Sequence, residues 1–168
     1  MTIHSGHPFA DDNPDPVRRL RGRLGGGVAL LTAAASERRA GLTVTSLMVA
    51  NGEPARVLAL VDPDSDLAEV AADSGRVVGQ LLSWPHRDLA DAFAGVAPAP
   101  GGPFRMAQWR ETEWGPVLAD ATTWAGVRLA EARSVGWSEL VDCVVEHVEL
   151  GDEDAPLVHR RGRYLRPD

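Results

Sequence analysis

At 168 residues, with 44% hydrophobic residues and a formal charge of −7, the chain suits one domain burying about 70% of its unfolded surface. The acidic balance excludes sequence-independent nucleic-acid binding, which draws on a basic surface. One cysteine, Cys143, excludes an intramolecular disulfide and a Cys-rich zinc site, and the longest apolar stretch, residues 28–35, is too short to cross a bilayer.

In chain order, residues 1–16 read as a flexible arm, broken by Asp11-Asp12-Asn13-Pro14-Asp15-Pro16 and lacking the apolar centre of a signal peptide. Residues 17–168 are expected to form the single domain, in a soluble, cytoplasmic protein whose lone thiol suits a reducing compartment. A short helix is predicted over 17–24, starting near Asp15 or Pro16 and closed by Gly25-Gly26-Gly27. That glycine triplet lacks the Lys-Ser/Thr of a phosphate-binding P-loop and precedes a strand, so it reads as a cap and turn. Residues 28–34 read as a buried strand and 36–41 as a hairpin loop.

The loop leads into Gly41-Leu42-Thr43-Val44-Thr45-Ser46, with three alcohols in four residues. Thr43 and Thr45 share one strand face and Ser46 the other. Two readings stand at this point. The run is a solvent-facing edge strand, where threonine is at home, or it bends and converges its hydroxyls on an uncharged heterocycle, since alcohols donate and accept without net charge.

Beyond it, 55–61 is a strand ended by Asp62-Pro63-Asp64-Ser65, and Ser65 or Asp66 caps a helix over 66–73. Residues 77–82 form a strand stopped by Ser83-Trp84-Pro85. Leu89, Ala90 and Phe93 fall on one face of a helix over 87–95. Residues 97–103 form a loop. Short strands follow around 124–133 and 140–150, with a final piece near 157–164. The fold class is mainly β: a small, Greek-key-like antiparallel barrel with flanking helices.

A search for reacting groups finds little. The five histidines are scattered without metal-ligand spacing, His86 reads as a surface residue, and no Ser–His–Asp set stands out. Glu111, Glu113, Glu153 and Asp154 read as solvated charge. Cys143 sits in an apolar strand context and reads as a buried, inert thiol. Of five tryptophans, Trp124 reads as core, whereas Trp109 and Trp114 flank a loop and are candidates for a pocket rim or partner contact. The basic stretch from His159 to Arg166 is a solvated end or a phosphate partner.

The order of these segments resembles the flavin reductase-like, FMN-binding split-barrel family. The resemblance runs through Gly27-Val28-Ala29-Leu30-Leu31-Thr32, the hydroxyl run, Val57-Leu58-Ala59-Leu60-Val61 and Val77-Val78-Gly79-Gln80-Leu81-Leu82-Ser83. It continues through Asp88-Leu89-Ala90-Asp91-Ala92-Phe93 and Trp114-Gly115-Pro116-Val117-Leu118 to Pro156-Leu157-Val158-His159-Arg160-Arg161-Gly162-Arg163-Tyr164. It implies a homodimer holding FMN or FAD near the subunit interface, reduced by NAD(P)H and able to serve a partner monooxygenase; charge and apolar run length already argue against nucleic acid and membrane as partners. By the same resemblance, Thr43, Val44, Thr45 and Ser46 meet the flavin ring and ribityl chain. Ala50 and Asn51 form the turn after it, Asp62 and Ser65 lie near the phosphate, and Gln80 stands where Asn is common. No catalytic acid or nucleophile is implied, because the flavin brings its own redox centre.

Three positions depart from the family pattern. Trp137-Ser138-Glu139 replaces an Asp-His pair, Asp62, Asp64 and Asp66 put three carboxylates beside the expected phosphate, and Ala50 lacks a hydroxyl. The alternatives these departures leave are a split-barrel flavoprotein with another electron donor, and a binding module that has lost its flavin.

Overall fold

The computed structural model describes residues 15–152 and 155–166. The expected arm therefore lies outside the described residues up to position 14, and so do Glu153 and Asp154. Helix α1 (Pro16–Leu24) begins one residue inside the expected arm. Asp15 caps it, accepting from the Val17 N–H at 3.0 Å, and Pro16 takes a first-turn position where its missing N–H costs nothing. Gly25 ends it at φ 62°.

Seven strands make the main sheet, in the order β3-β2-β6-β9-β10-β5-β4, and every pairing is antiparallel. They are β2 (Ala29–Ala35), β3 (Arg38–Val44), β4 (Met48–Ala50), β5 (Arg56–Val61), β6 (Arg76–Leu81), β9 (Trp124–Val135) and β10 (Ser138–Glu149). The two edges, β3 and β4, follow one another in the chain, so the short link at 45–47 draws them together and rolls the sheet into a barrel. Register shifts in β10, at Asp142/Cys143 and Val145/His147, add the local bending that closure requires. A second small sheet, β1 (Gly26–Gly27), β11 (Val158–Arg160) and β12 (Arg163–Leu165), and the hairpin of β7 (Trp109–Thr112) and β8 (Gly115–Leu118) sit outside it.

The hairpin loop expected over 36–41 is corrected to the two residues Ser36 and Glu37. Ser36 takes φ 54°, and pairing begins at once with Ala35 opposite Arg38. The last third is likewise longer than its sequence suggests, with two twelve-residue strands joined at Gly136 and Trp137.

Strand β2 is buried on both faces, which accounts for its unbroken apolar run. Inside the barrel, Ala29, Leu31 and Ala33 pack with Val57, Ala59, Val61, Val77, Val127 and Cys143, capped by Leu67, Val70 and Ala71 of helix α2 (Asp66–Ser74). Behind it, Val28 and Leu30 meet Leu82, Leu118, Leu157 and helix α3 (Arg87–Phe93) through Leu89, Ala90 and Phe93. Gly41 is what lets α3 lie on β3, since a Cβ there would stand 2.6 Å from the Phe93 ring. Cys143 is buried as expected, and burial pushes its thiol up to about 12, with Asp142 adding to the effect.

Candidate functional site

The hydroxyl run forms the link that closes the barrel, and its three alcohols have three fates. Thr43 faces α3 and donates to the Ala90 carbonyl at 2.7 Å. Ser46 donates to the Leu60 carbonyl at 2.9 Å and accepts from the Leu60 N–H at 3.0 Å. Its side chain thus plays both backbone roles in the ladder to β5, one step beyond the last regular pair, Met48 with Leu58. That arrangement leaves the main chain of Ser46 free to turn away. Val44 points into the barrel core. Only Thr45 is exposed, and its hydroxyl has no partner among the described residues.

The other expected site residues divide. Asp62 and Ser65 lie two and five residues beyond Leu60, so they share the barrel end with Ser46. Ser65 caps α2: its hydroxyl donates to the Asp62 carbonyl at 2.6 Å and accepts from the Ala68 N–H at 3.2 Å. Asp62 accepts from the Asp64 N–H at 2.9 Å. Both are occupied by the turn itself. Asp62, Asp64 and Asp66 are exposed together at this helix start, so a phosphate approaching it meets repulsion that offsets the helix dipole. Ala50 and Asn51 are exposed at the far end of β4, where Ala50 pairs with Arg56. Four residue steps separate Ala50 from Ser46, roughly 13 Å if the chain is extended. Within one chain they form a separate locus.

Gln80 requires a correction. It is fully buried and faces the core, with every side-chain polar atom bonded. Its amide nitrogen donates to Thr32 Oγ1 at 3.1 Å and to the Pro116 carbonyl at 3.4 Å, and its oxygen accepts from the Leu118 N–H at 2.8 Å. Thr32 Oγ1 itself donates to the Pro116 carbonyl at 2.6 Å. Gln80 fastens β8 to the barrel and presents nothing to a ligand.

Two groupings escaped the sequence reading. His86 is not a surface residue: its side chain is 11% exposed. Its Nδ1 receives the Ser83 N–H at 3.1 Å and lies 3.0 Å from Ser83 Oγ, while Nε2 lies 3.0 Å from Asp120. The pattern is that of a capping box, in which the His86 side chain accepts from the Ser83 backbone N–H and the Ser83 side chain faces the His86 N–H in return. The spacing Ser83-x-x-His86 was the available signal. His147 stacks on Trp114 at 5.2 Å and sits 4.7 Å from Trp124. Trp114 lies flat over Gly126, where a Cβ would stand 2.2 Å from its ring, and donates to Glu146 at 3.0 Å. Trp109 packs edge-on to Phe93 in the rear core and donates to the Phe104 carbonyl at 2.8 Å, so neither tryptophan is free at a rim.

Near the run, Gly26 of β1 stands against the Thr45 carbonyl, with a Cβ position 3.2 Å from it, and pairs with His159 of β11. His159 packs at 5.4 Å against Tyr164, which donates to Asp91 of α3 at 2.6 Å. Burial holds the His159 imidazole below its usual range; Asp91 opposes that and Arg21 adds to it. Burial and the Asp91 contact raise the Tyr164 phenol well above its ordinary value. Both rings are therefore neutral at pH 7 and offer uncharged donors and acceptors.

An antiparallel barrel closed by a hydroxyl-bearing link, with helices outside it, defines a split-barrel protein. The flavin reductase-like domain family matches residues 21–167, and the chain belongs to that family. It is similar to the FMN reductase (NADH) RutF of Agrobacterium fabrum, 27% identical over 148 residues, covering 88% of this chain and 84% of the relative. It is also similar to the 4-hydroxyphenylacetate 3-monooxygenase reductase component of Pseudomonas aeruginosa, 26% identical over 144 residues, covering 84% and 85%. An NADH:FAD oxidoreductase from Streptomyces globisporus shares the fold, with TM-score 0.82, 20% identity and coverage of 94% and 98%. Among the described residues no helix is long and apolar enough to cross a membrane.

Proposed function

We propose that the chain is an NAD(P)H-dependent flavin reductase that binds FMN or FAD at the open end of the hydroxyl run and supplies reduced flavin to a partner monooxygenase. The observation carrying this reading is Thr45: an exposed, unpartnered hydroxyl between two alcohols that hold the link in place. The donor set fits a flavin ring. It is uncharged at Thr45, and Leu60, bonded to the adjacent Ser46, leaves apolar surface at this end of the barrel, 39% exposed.

When bound, the flavin supplies the hydride chemistry. The chain's own residues orient and enclose. Thr45 offers a hydroxyl to a ring heteroatom, and Ser46 fixes the direction of the main chain by holding Leu60. Thr43 anchors the link to α3. The outer face of β4, β5 and β10 carries Met48, Leu58, Leu60 and Leu140 in register, an apolar surface suited to a second copy, and we place the homodimer contact there. We place its operation in the cytoplasm, a reducing compartment that suits a chain with one unpaired cysteine.

Anaerobic addition of NADH or NADPH to the protein with FMN tests the reading. Loss of the visible flavin band on addition of either nucleotide is expected. Protein that neither carries flavin nor quenches FMN fluorescence would overturn it. A second reading, a flavoprotein with another electron donor, is favoured by Trp137, 91% exposed at the β9–β10 turn where the family pattern has Asp-His. Bound flavin that ignores both nucleotides would select it.

A further inference from the structure

Charge in this chain is segregated. The segments 15–27 and 155–166 hold Arg18, Arg19, Arg21, Arg23, Arg160, Arg161, Arg163 and Arg166, eight of seventeen basic residues, against one carboxylate, Asp15. The rest of an acidic chain carries the negative excess. None of the eight makes an ion pair among the described residues, whereas five of the other nine arginines do: Arg38, Arg39, Arg56, Arg76 and Arg128. The fold joins the two segments. The Arg161 N–H donates to the Gly22 carbonyl at 2.9 Å, and Arg160 Nε donates to the Arg23 carbonyl at 3.2 Å. Asp91, the carboxylate that contacts this hairpin, is taken by the Tyr164 hydroxyl.

Two basic residues in the last turn of α1 complement its dipole, and capping accounts for that much. It does not account for gathering eight arginines that meet no carboxylate among the described residues. Their position does. Gly26 touches the Thr45 carbonyl and pairs with His159, so the arginine hairpin begins two strand spacings, about 10 Å, from the open end of the hydroxyl run. On the run's other side stands the acidic turn of Asp62, Asp64 and Asp66, which repels phosphate.

We infer that the arginine cluster of α1 and the β11–β12 hairpin is the subsite for the phosphate groups of a nucleotide whose ring lies at Thr45, in place of the α2 turn. The inference rests on the flavin reading of that site. The phosphate is that of the flavin or the diphosphate of the nicotinamide donor; guanidinium groups bind both by the same bidentate contacts. The surrounding acidic surface would steer either anion towards this one basic region.

The test compares the full chain with a variant carrying Arg21→Gln, Arg23→Gln and Arg163→Gln, none of whose side chains donates a hydrogen bond among the described residues. FMN and riboflavin, which lacks the phosphate, are titrated by fluorescence quenching. NADH is compared as donor with N-benzyl-dihydronicotinamide, which has no phosphate. If the flavin phosphate binds here, wild type prefers FMN over riboflavin, and the variant weakens FMN about tenfold while riboflavin holds. If the nicotinamide diphosphate binds here, the NADH KM rises about tenfold with kcat held, and the benzyl donor is unaffected. Added salt should mimic whichever effect appears. Riboflavin and FMN binding alike, with both affinities and the NADH KM unmoved in the variant, overturns the inference and leaves the flavin site standing. A wild type that binds neither flavin overturns the flavin reading and this inference with it.

Discussion

Two polar groupings in this barrel each hold a residue expected to meet a flavin, and they differ in one respect. Thr32 and Gln80 form a closed set with Pro116 and Leu118, fully buried, with no donor or acceptor left over. The 43–46 link is half-open: Thr43 and Ser46 are committed to backbone partners and Thr45 is not. A polar group whose bonds are complete holds the fold, and one whose bonds are incomplete at a surface can recognise a ligand. The first grouping therefore builds the barrel wall, and the second positions one free hydroxyl at its rim.

Substitutions can break that division if it is wrong. The largest effect belongs to Gln80→Leu, which strands the Leu118 N–H in the core and leaves the Pro116 carbonyl with Thr32 alone. Urea unfolding should show about 1–3 kcal/mol lost, the cost of one buried N–H left without a partner, with FMN affinity unchanged in the folded fraction. Ser46→Ala removes a two-way bond to Leu60, a residue water can partly reach, and should cost about 1 kcal/mol in the same assay. A smaller, pH-dependent effect comes from His159. Its native pKa lies below the unfolded value of about 6.5, so on acidification the unfolded chain takes up a proton first. Its contribution is absent above that pH and turns against the native state as pH falls. His159→Asn should flatten the decline in stability between pH 6.5 and 5, measured as the difference from wild type.

Much of the barrel was legible because its pattern is local. Asp15, Ser65 and Gly25 mark helix ends by cap chemistry, and Leu89, Ala90 and Phe93 mark the buried face of α3 by spacing. The resemblance supplied the closure of the sheet, which no local signal carries. The site was less legible. Whether a threonine or glutamine is free depends on partners far along the chain: Ala90 for Thr43, 47 residues on, and Pro116 and Leu118 for Gln80, more than thirty residues on. The residue types were visible; their partners were not. The hairpin at Ser36 was overdrawn for a related reason, since Arg38 and Arg39 look like loop residues but pair from the first position, reaching Glu69 and Glu111 across the surface.

The most direct measurement is FMN titration of Thr45→Val beside Gln80→Leu and wild type, under conditions where all three are folded. Losing the free hydroxyl should weaken FMN about fivefold without changing stability, while Gln80→Leu binds as wild type does. Equal FMN affinity for Thr45→Val and wild type, or a loss confined to Gln80→Leu, would contradict the assignment of the flavin to the open end of the hydroxyl run.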